Sequence, residues 1–175
     1  MIYLIMVIIR YYTEADSVKV GKLIADVYSA YNLSFAPAEE KIKLLGPFAL
    51  ARSSDAQHKK AIEDAIRTET ILVAEEDNNI VGVLRGKAGR LQSLFVHGDY
   101  HRHGIGRNLV GKFETACINS GGNSIKVAST LYAVPFYIKI GYKKTTGIRP
   151  AWSFGGTGLL YQPMKKILAS SYDIT

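Results

Sequence analysis

Basic side chains and glycines alternate through His101-Arg102-His103-Gly104-Ile105-Gly106-Arg107. Ahead of them, Leu91, Ser93 and Phe95 alternate with Gln92, Leu94 and Val96, the pattern of a buried strand. Behind them, Leu109, Val110, Phe113 and Cys117 recur at helical spacing. A strand, a short loop and a helix start aim backbone N–H groups and the positive end of a helix dipole at one point, which favours an anion. Gly104 and Gly106, on either side of Ile105, remove side chains where an anion must approach the backbone. Arg102, His103 and Arg107, with His101, add positive charge. The chemistry suited to this layout is the cradling of a pyrophosphate.

A second segment, Ala133-Val134-Pro135-Phe136-Tyr137-Ile138-Lys139-Ile140-Gly141-Tyr142, follows at the distance of one helix plus one strand. Together the two segments resemble the GNAT N-acetyltransferase superfamily. The first is similar to the Gln/Arg-x-x-Gly-x-Gly/Ala signature that holds acetyl-CoA, and the second to the segment whose tyrosine faces the thioester. Tyr161-Gln162-Pro163-Met164 is similar to the family's closing strand. The resemblance is specific from about Leu91 to Tyr142 and architectural before Thr70. His101 stands where the signature has Gln or Arg, a departure that leaves the backbone-donor argument intact.

The resemblance implies one α/β domain over residues 1–175, with a central, mostly antiparallel sheet flanked by helices and a splayed strand pair holding the acyl-CoA. It puts the acyl-CoA site at about 91–142, and the N-terminal helices, at about 14–67, over the acceptor side. It also implies acetyl-CoA as co-substrate, held by the backbone of Leu94, Phe95 and Val96 and by the loop from Arg102 to Arg107. Those strand N–H groups would polarise the acyl carbonyl. The acceptor implied is an amine of a small molecule or peptide that attacks directly.

Tyr137 is the expected general acid, since a phenol is protonated at neutral pH and can give its proton to a departing thiolate. There are eleven tyrosines, so its place after Phe136 carries that assignment. The base is less evident. A lysine-like amine is neutral in about one molecule in two thousand at pH 7, yet Gln92 stands where many relatives have a carboxylate. Glu75, with Glu76 beside it at the end of a preceding strand, is the substitute.

The wider composition narrows the classes. With 175 residues and 47% hydrophobic content, one domain with a real core is expected. A net charge of +7 calls for an acidic partner. Coenzyme A satisfies it, whereas scattered basic residues and the lack of zinc spacing argue against nucleic acid. The histidines lack a carboxylate-and-histidine pattern, so no metal is expected. The single Cys117 excludes an internal disulfide and fits a reducing cytoplasm. The apolar opening Met1 to Ile9 is too short to span a membrane and lacks signal-peptide flanks. Residues Met1 to Ile5 either lengthen the first strand or lie upstream of a start at Met6.

The elements that must position the chemistry follow from periodicity. Val7 to Tyr12 reads as a strand. Thr13 or Asp16 caps a helix with Val20, Leu23, Ile24, Val27 and Tyr28 on one stripe. Pro37 opens a second helix that Gly46-Pro47 breaks, and Ser54 or Asp55 caps a third. Ile71 to Glu75 and Ile80 to Arg85 form a hairpin about Asp77-Asn78-Asn79. Between the last two strands, Thr145 to Gly158 reads either as an acceptor-selecting lip carrying Arg149, Trp152 and Phe154, or as a long hairpin loop with a buried Trp152. Two rival functions stay open: transfer of another acyl group, and a CoA-binding sensor without catalysis. Oligomeric state is not set by the sequence, a homodimer included.

Overall fold

Local chemistry fixes the first helix before any long-range packing. The backbone N–H and Oγ1 of Thr13 donate to the Asp16 carboxylate at 2.8 and 3.1 Å, so a short turn at Glu14–Asp16 leads into α1, Ser17–Val27. The computed structural model describes residues 6–168; the reading of Met1 to Ile5 lies outside them. Helix α2 runs Ala38–Leu45 and α3 Ala56–Ile66, the latter capped by Asp55, which accepts from the N–H of Gln57 and His58. Gly46-Pro47 does not simply break the chain: a 3-10 turn over Gly46–Leu50 continues it and buries Phe48.

The strands are β1 Ile8–Tyr11, β2 Thr70–Glu76, β3 Asn79–Lys87, β4 Arg90–Val96, β5 Ser124–Thr130, β6 Lys143–Lys144, β7 Arg149–Trp152 and β8 Thr157–Ile167. They form one sheet in the order β1-β2-β3-β4-β5-β8-β6, with β7 also on β8. Only β4 and β5 are parallel. The β2–β3 hairpin turns through Asp77 and Asn78, both at positive φ (45° and 62°), the twist that a two-residue hairpin demands.

Two cores sit back to back. Val73, Val83 and Phe95 face α1 to α3; Leu72, Leu84 and Leu91 face α4, Ile105–Asn119, through Leu109 and Phe113. Phe113 is fully buried, and its truncation to Ala would cost about 3–5 kcal/mol. A short helix α5, Val134–Lys139, closes the second face. The result is the expected mixed sheet flanked by helices.

Two details reshape the cleft region. Helix α1 widens into a π-turn over Tyr28–Asn32, with Leu33 N–H reaching the Tyr28 carbonyl at 2.9 Å. The Thr145 to Gly158 segment contains strand β7 instead of being loop throughout, and Trp152 is 81% exposed, not buried. The pairing of Arg149 to Trp152 with β8 holds that segment as a ribbon.

Candidate active site between β4 and β5

The two parallel strands pair only where β4 begins, against the middle of β5: Arg90 with Lys126 and Leu91 with Val127. On its other side, β4 sets Leu91 opposite Gly86 and Ser93 opposite Arg85, so Gln92 is the extra residue of a β-bulge. Beyond it the strands part around a cleft of about 440 Å³. Its walls are Leu94 and Phe95 on one strand and Val127 to Thr130 on the other, with Tyr137 and Tyr28 also lining it.

Hydrogen-bond alternation tells which backbone groups face the gap. His97 N–H donates to the Val81 carbonyl at 2.8 Å on the β3 side. In an antiparallel ladder bonded and non-bonded pairs alternate, so Phe95 also spends its groups on β3, while Leu94 and Val96 point theirs at the gap. The sequence reading had grouped all three; the pairing separates Phe95, whose ring lines the cleft and packs edge-on against Tyr28 at 5.5 Å. The Val96 carbonyl is taken by His101, whose Nε2–H donates at 2.8 Å. The departure from the signature thus has a local function: the imidazole reaches back and seals one acceptor on the open edge.

At the mouth, Arg102 has φ of 65° and Gly104 of 82°, and α4 begins at Ile105. Its first backbone bond runs from Asn108 N–H to the Gly104 carbonyl at 2.9 Å. The N–H groups of Ile105, Gly106 and Arg107 therefore have no partner one turn back. Arg102, His103 and Arg107 are exposed around them, whereas the Ile105 side chain is core. The two glycines differ. A Cβ on Gly104 would meet nothing within 4 Å, but one on Gly106 would lie 3.3 Å from the Phe136 ring. Gly104 opens the loop, and Gly106 also lets α5 pack on α4.

Tyr137 is 4% exposed, between the rings of Phe136 (5.1 Å) and Tyr142 (5.4 Å). Burial pushes its hydroxyl well above the usual phenol range, so it is protonated throughout the neutral region. Burial likewise pushes the Cys117 thiol up, away from nucleophilic use.

The structure does not bring Glu75 to the cleft. Arg10 Nε holds its Oε2 at 2.6 Å, while the Arg10 fork takes Asp16 at 2.7 and 2.8 Å. Glu76 accepts from the Tyr100 hydroxyl. Gln92 lines the cleft but accepts from Thr68 Oγ1 at 2.6 Å. Sequence reasoning missed Arg85, 8% exposed at the cleft wall, and Asn32, whose Nδ2 donates to Thr130 Oγ1 at 2.7 Å. An arginine directly after the apolar run Val81 to Leu84, within the same strand, was the available signal for the first. Among the described residues no group of three or more His, Cys, Asp or Glu converges, and no helix is long and apolar enough to cross a membrane.

The profile of the acetyltransferase (GNAT) domain family matches residues 38–168. The chain belongs to the GNAT acetyltransferase family. Its GNAT fold superposes on a GCN5-related N-acetyltransferase of Rhodopseudomonas palustris with a TM-score of 0.74 at 19% identity, covering 96% of this chain and 100% of that one. The PaiA N-acetyltransferase of Thermoplasma acidophilum, solved in complex with coenzyme A, gives 0.65 at 18% identity, covering 93% and 99%. YncA of Salmonella typhimurium, solved with acetyl-CoA, gives 0.60 at 15%, covering 94% and 95%. No curated protein matches the chain significantly.

Proposed function

We propose that this protein is an acetyl-CoA-dependent N-acetyltransferase that moves the acetyl group directly to an amine, with Tyr137 as general acid. The observation that carries the reading is the shared cleft: Leu94, on the unpaired edge of β4, and Tyr137 line one gap. The residues present fit the co-substrate. The N–H groups of Ile105 to Arg107, beside Gly104 and the charges of Arg102, His103 and Arg107, suit a pyrophosphate. The Leu94 and Val96 edge suits an amide-bearing arm that pairs like a strand. Two of the structural relatives hold coenzyme A or acetyl-CoA, which supports the same choice.

When bound, acetyl-CoA supplies the acyl group already activated as a thioester. The N–H of Leu94 on the open edge would donate to its carbonyl oxygen. Tyr137, kept neutral by burial, holds a proton for the departing sulfur. Arg85, Lys87 and Arg90 line the cleft, and no Asp or Glu among the described residues does. A cationic wall disfavours an ammonium ion and so lowers the pKa of an amine seated there. The neutral nucleophile arises in this reading from that field, with its proton passing to water, and Glu75 has no part in it.

The test is thiol release from acetyl-CoA across a broad amine panel, with mass spectrometry of the products. An amine-dependent release with an N-acetylated product is expected. Tight CoA binding without release from any amine would favour a non-catalytic CoA-binding module.

A further inference from the structure

Arg85 is the one buried guanidinium in the wall of the cleft, and its bonding leaves its charge without a counter-ion. Its Nε donates to the Ile66 carbonyl at 2.8 Å and its Nη2 to the Ala65 carbonyl at 2.6 Å, both at the last turn of α3. The negative end of that helix offsets part of the charge. No carboxylate among the described residues lies within ion-pair distance. The Phe154 ring lies 5.6 Å from the guanidinium carbon. Nη1 has only Ser93 Oγ, at a long 3.4 Å. Burial alone pulls this arginine down to about 10, still charged at neutral pH. A buried cation usually has a paired anion, because stranding one costs several kcal/mol.

Position makes the missing anion a matter of substrate. Arg85 stands opposite Ser93 in the β3–β4 register, one residue before Leu94. Neighbouring strands lie about 4.8 Å apart and successive residues about 3.3 Å, so the guanidinium is within the span of a small acceptor whose amine approaches Leu94. Lys87 and Arg90 line the same cleft. The free N–H of Nη1 beside the Ser93 hydroxyl sets two donors side by side, which suits the paired oxygens of a carboxylate.

We propose that Arg85 Nη1 and Ser93 Oγ form a carboxylate subsite, and that the acceptor is a small amine carrying a carboxylate, of amino-acid size. This rests on the N-acetyltransferase reading above and narrows its acceptor. The carboxylate supplies the counter-ion that the cleft lacks and places the amine against the open edge of β4.

The test separates binding from turnover. Dead-end complexes with CoA are titrated through the fluorescence of Trp152, the sole tryptophan, which lines the cleft. The ligands are amino acids, β-alanine and 4-aminobutyrate, each paired with its carboxamide, together with phosphoethanolamine. At least one acid binds tenfold or more tightly than its amide, and the ratio falls to about two in Arg85→Gln. Equal binding within every pair of the wild-type protein would overturn the subsite without any variant having to fold. Phosphoethanolamine binding as tightly as the best acid would overturn the choice of carboxylate. Acid-selective binding without turnover would count against the transferase reading, not against the subsite. Turnover with indifferent binding would count against the subsite alone.

Discussion

Phe136 places its ring 3.3 Å from the point where Gly106 would carry a Cβ, so the second glycine of the loop is where helix α5 docks on helix α4. The contact ties the Tyr137 segment to the glycine loop before α4. A bulkier residue at 106 must push Phe136 away, and Tyr137 with it.

Gly104 and Gly106 should therefore fail differently. Gly106→Val is expected to lower stability by about 1–3 kcal/mol through overpacking, with partial recovery on adding Phe136→Leu. Gly104→Ala meets open space but strains a φ of 82° by about 1 kcal/mol. It should weaken acetyl-CoA binding about tenfold with little change in melting temperature. Calorimetry and thermal melts of the three variants check this; identical behaviour of the two glycine variants would contradict it.

Much of the fold was legible because periodicity and caps agreed. The Asp55 cap, the Asp77-Asn78 turn and the stripe of Leu109, Val110, Phe113 and Cys117 each specify their element locally. The glycine loop was legible as a unit, but not the division of labour within it, since only the approach of Phe136 from another helix distinguishes Gly106 from Gly104. Of the two readings of Thr145 to Gly158, the one with a buried Trp152 fails because a ribbon strand on β8 can carry an exposed indole, and hydrophobicity alone does not say which face it takes. Arg85 was passed over because its burial depends on carbonyls of α3 nineteen and twenty residues away.

Glu75 is held by Arg10 and lies outside the cleft lining. Glu75→Gln should cost up to about 1 kcal/mol of stability by weakening a partly exposed pair. The acidic limb of the kcat/KM profile should keep its shape and midpoint. Loss of that limb in the variant would restore Glu75 as the base.

Asp16 gives the fold a pH dependence of known sign. The Arg10 guanidinium and then the Thr13 N–H hold its carboxyl down at about 2, against burial, which acts the other way. A depressed folded-state pKa means that the contribution is complete above the unfolded value of about 3.9 and is lost as pH falls toward 2. Asp16→Asn is expected to cost about 1–2 kcal/mol at pH 7, after screening at the partly exposed Arg10. The gap between variant and parent melting temperatures should narrow by pH 3. A gap independent of pH would contradict the assignment.

Tyr137→Phe tests the central proposal most directly, because it keeps the ring between Phe136 and Tyr142 and removes only the hydroxyl. The measurement is single-turnover acetyl transfer to a saturating amine, alongside acetyl-CoA affinity. Transfer should fall by about 10²-fold or more while affinity changes less than threefold. Transfer at the parent rate would contradict a role for Tyr137 as the acid and leave it a core residue of the cleft.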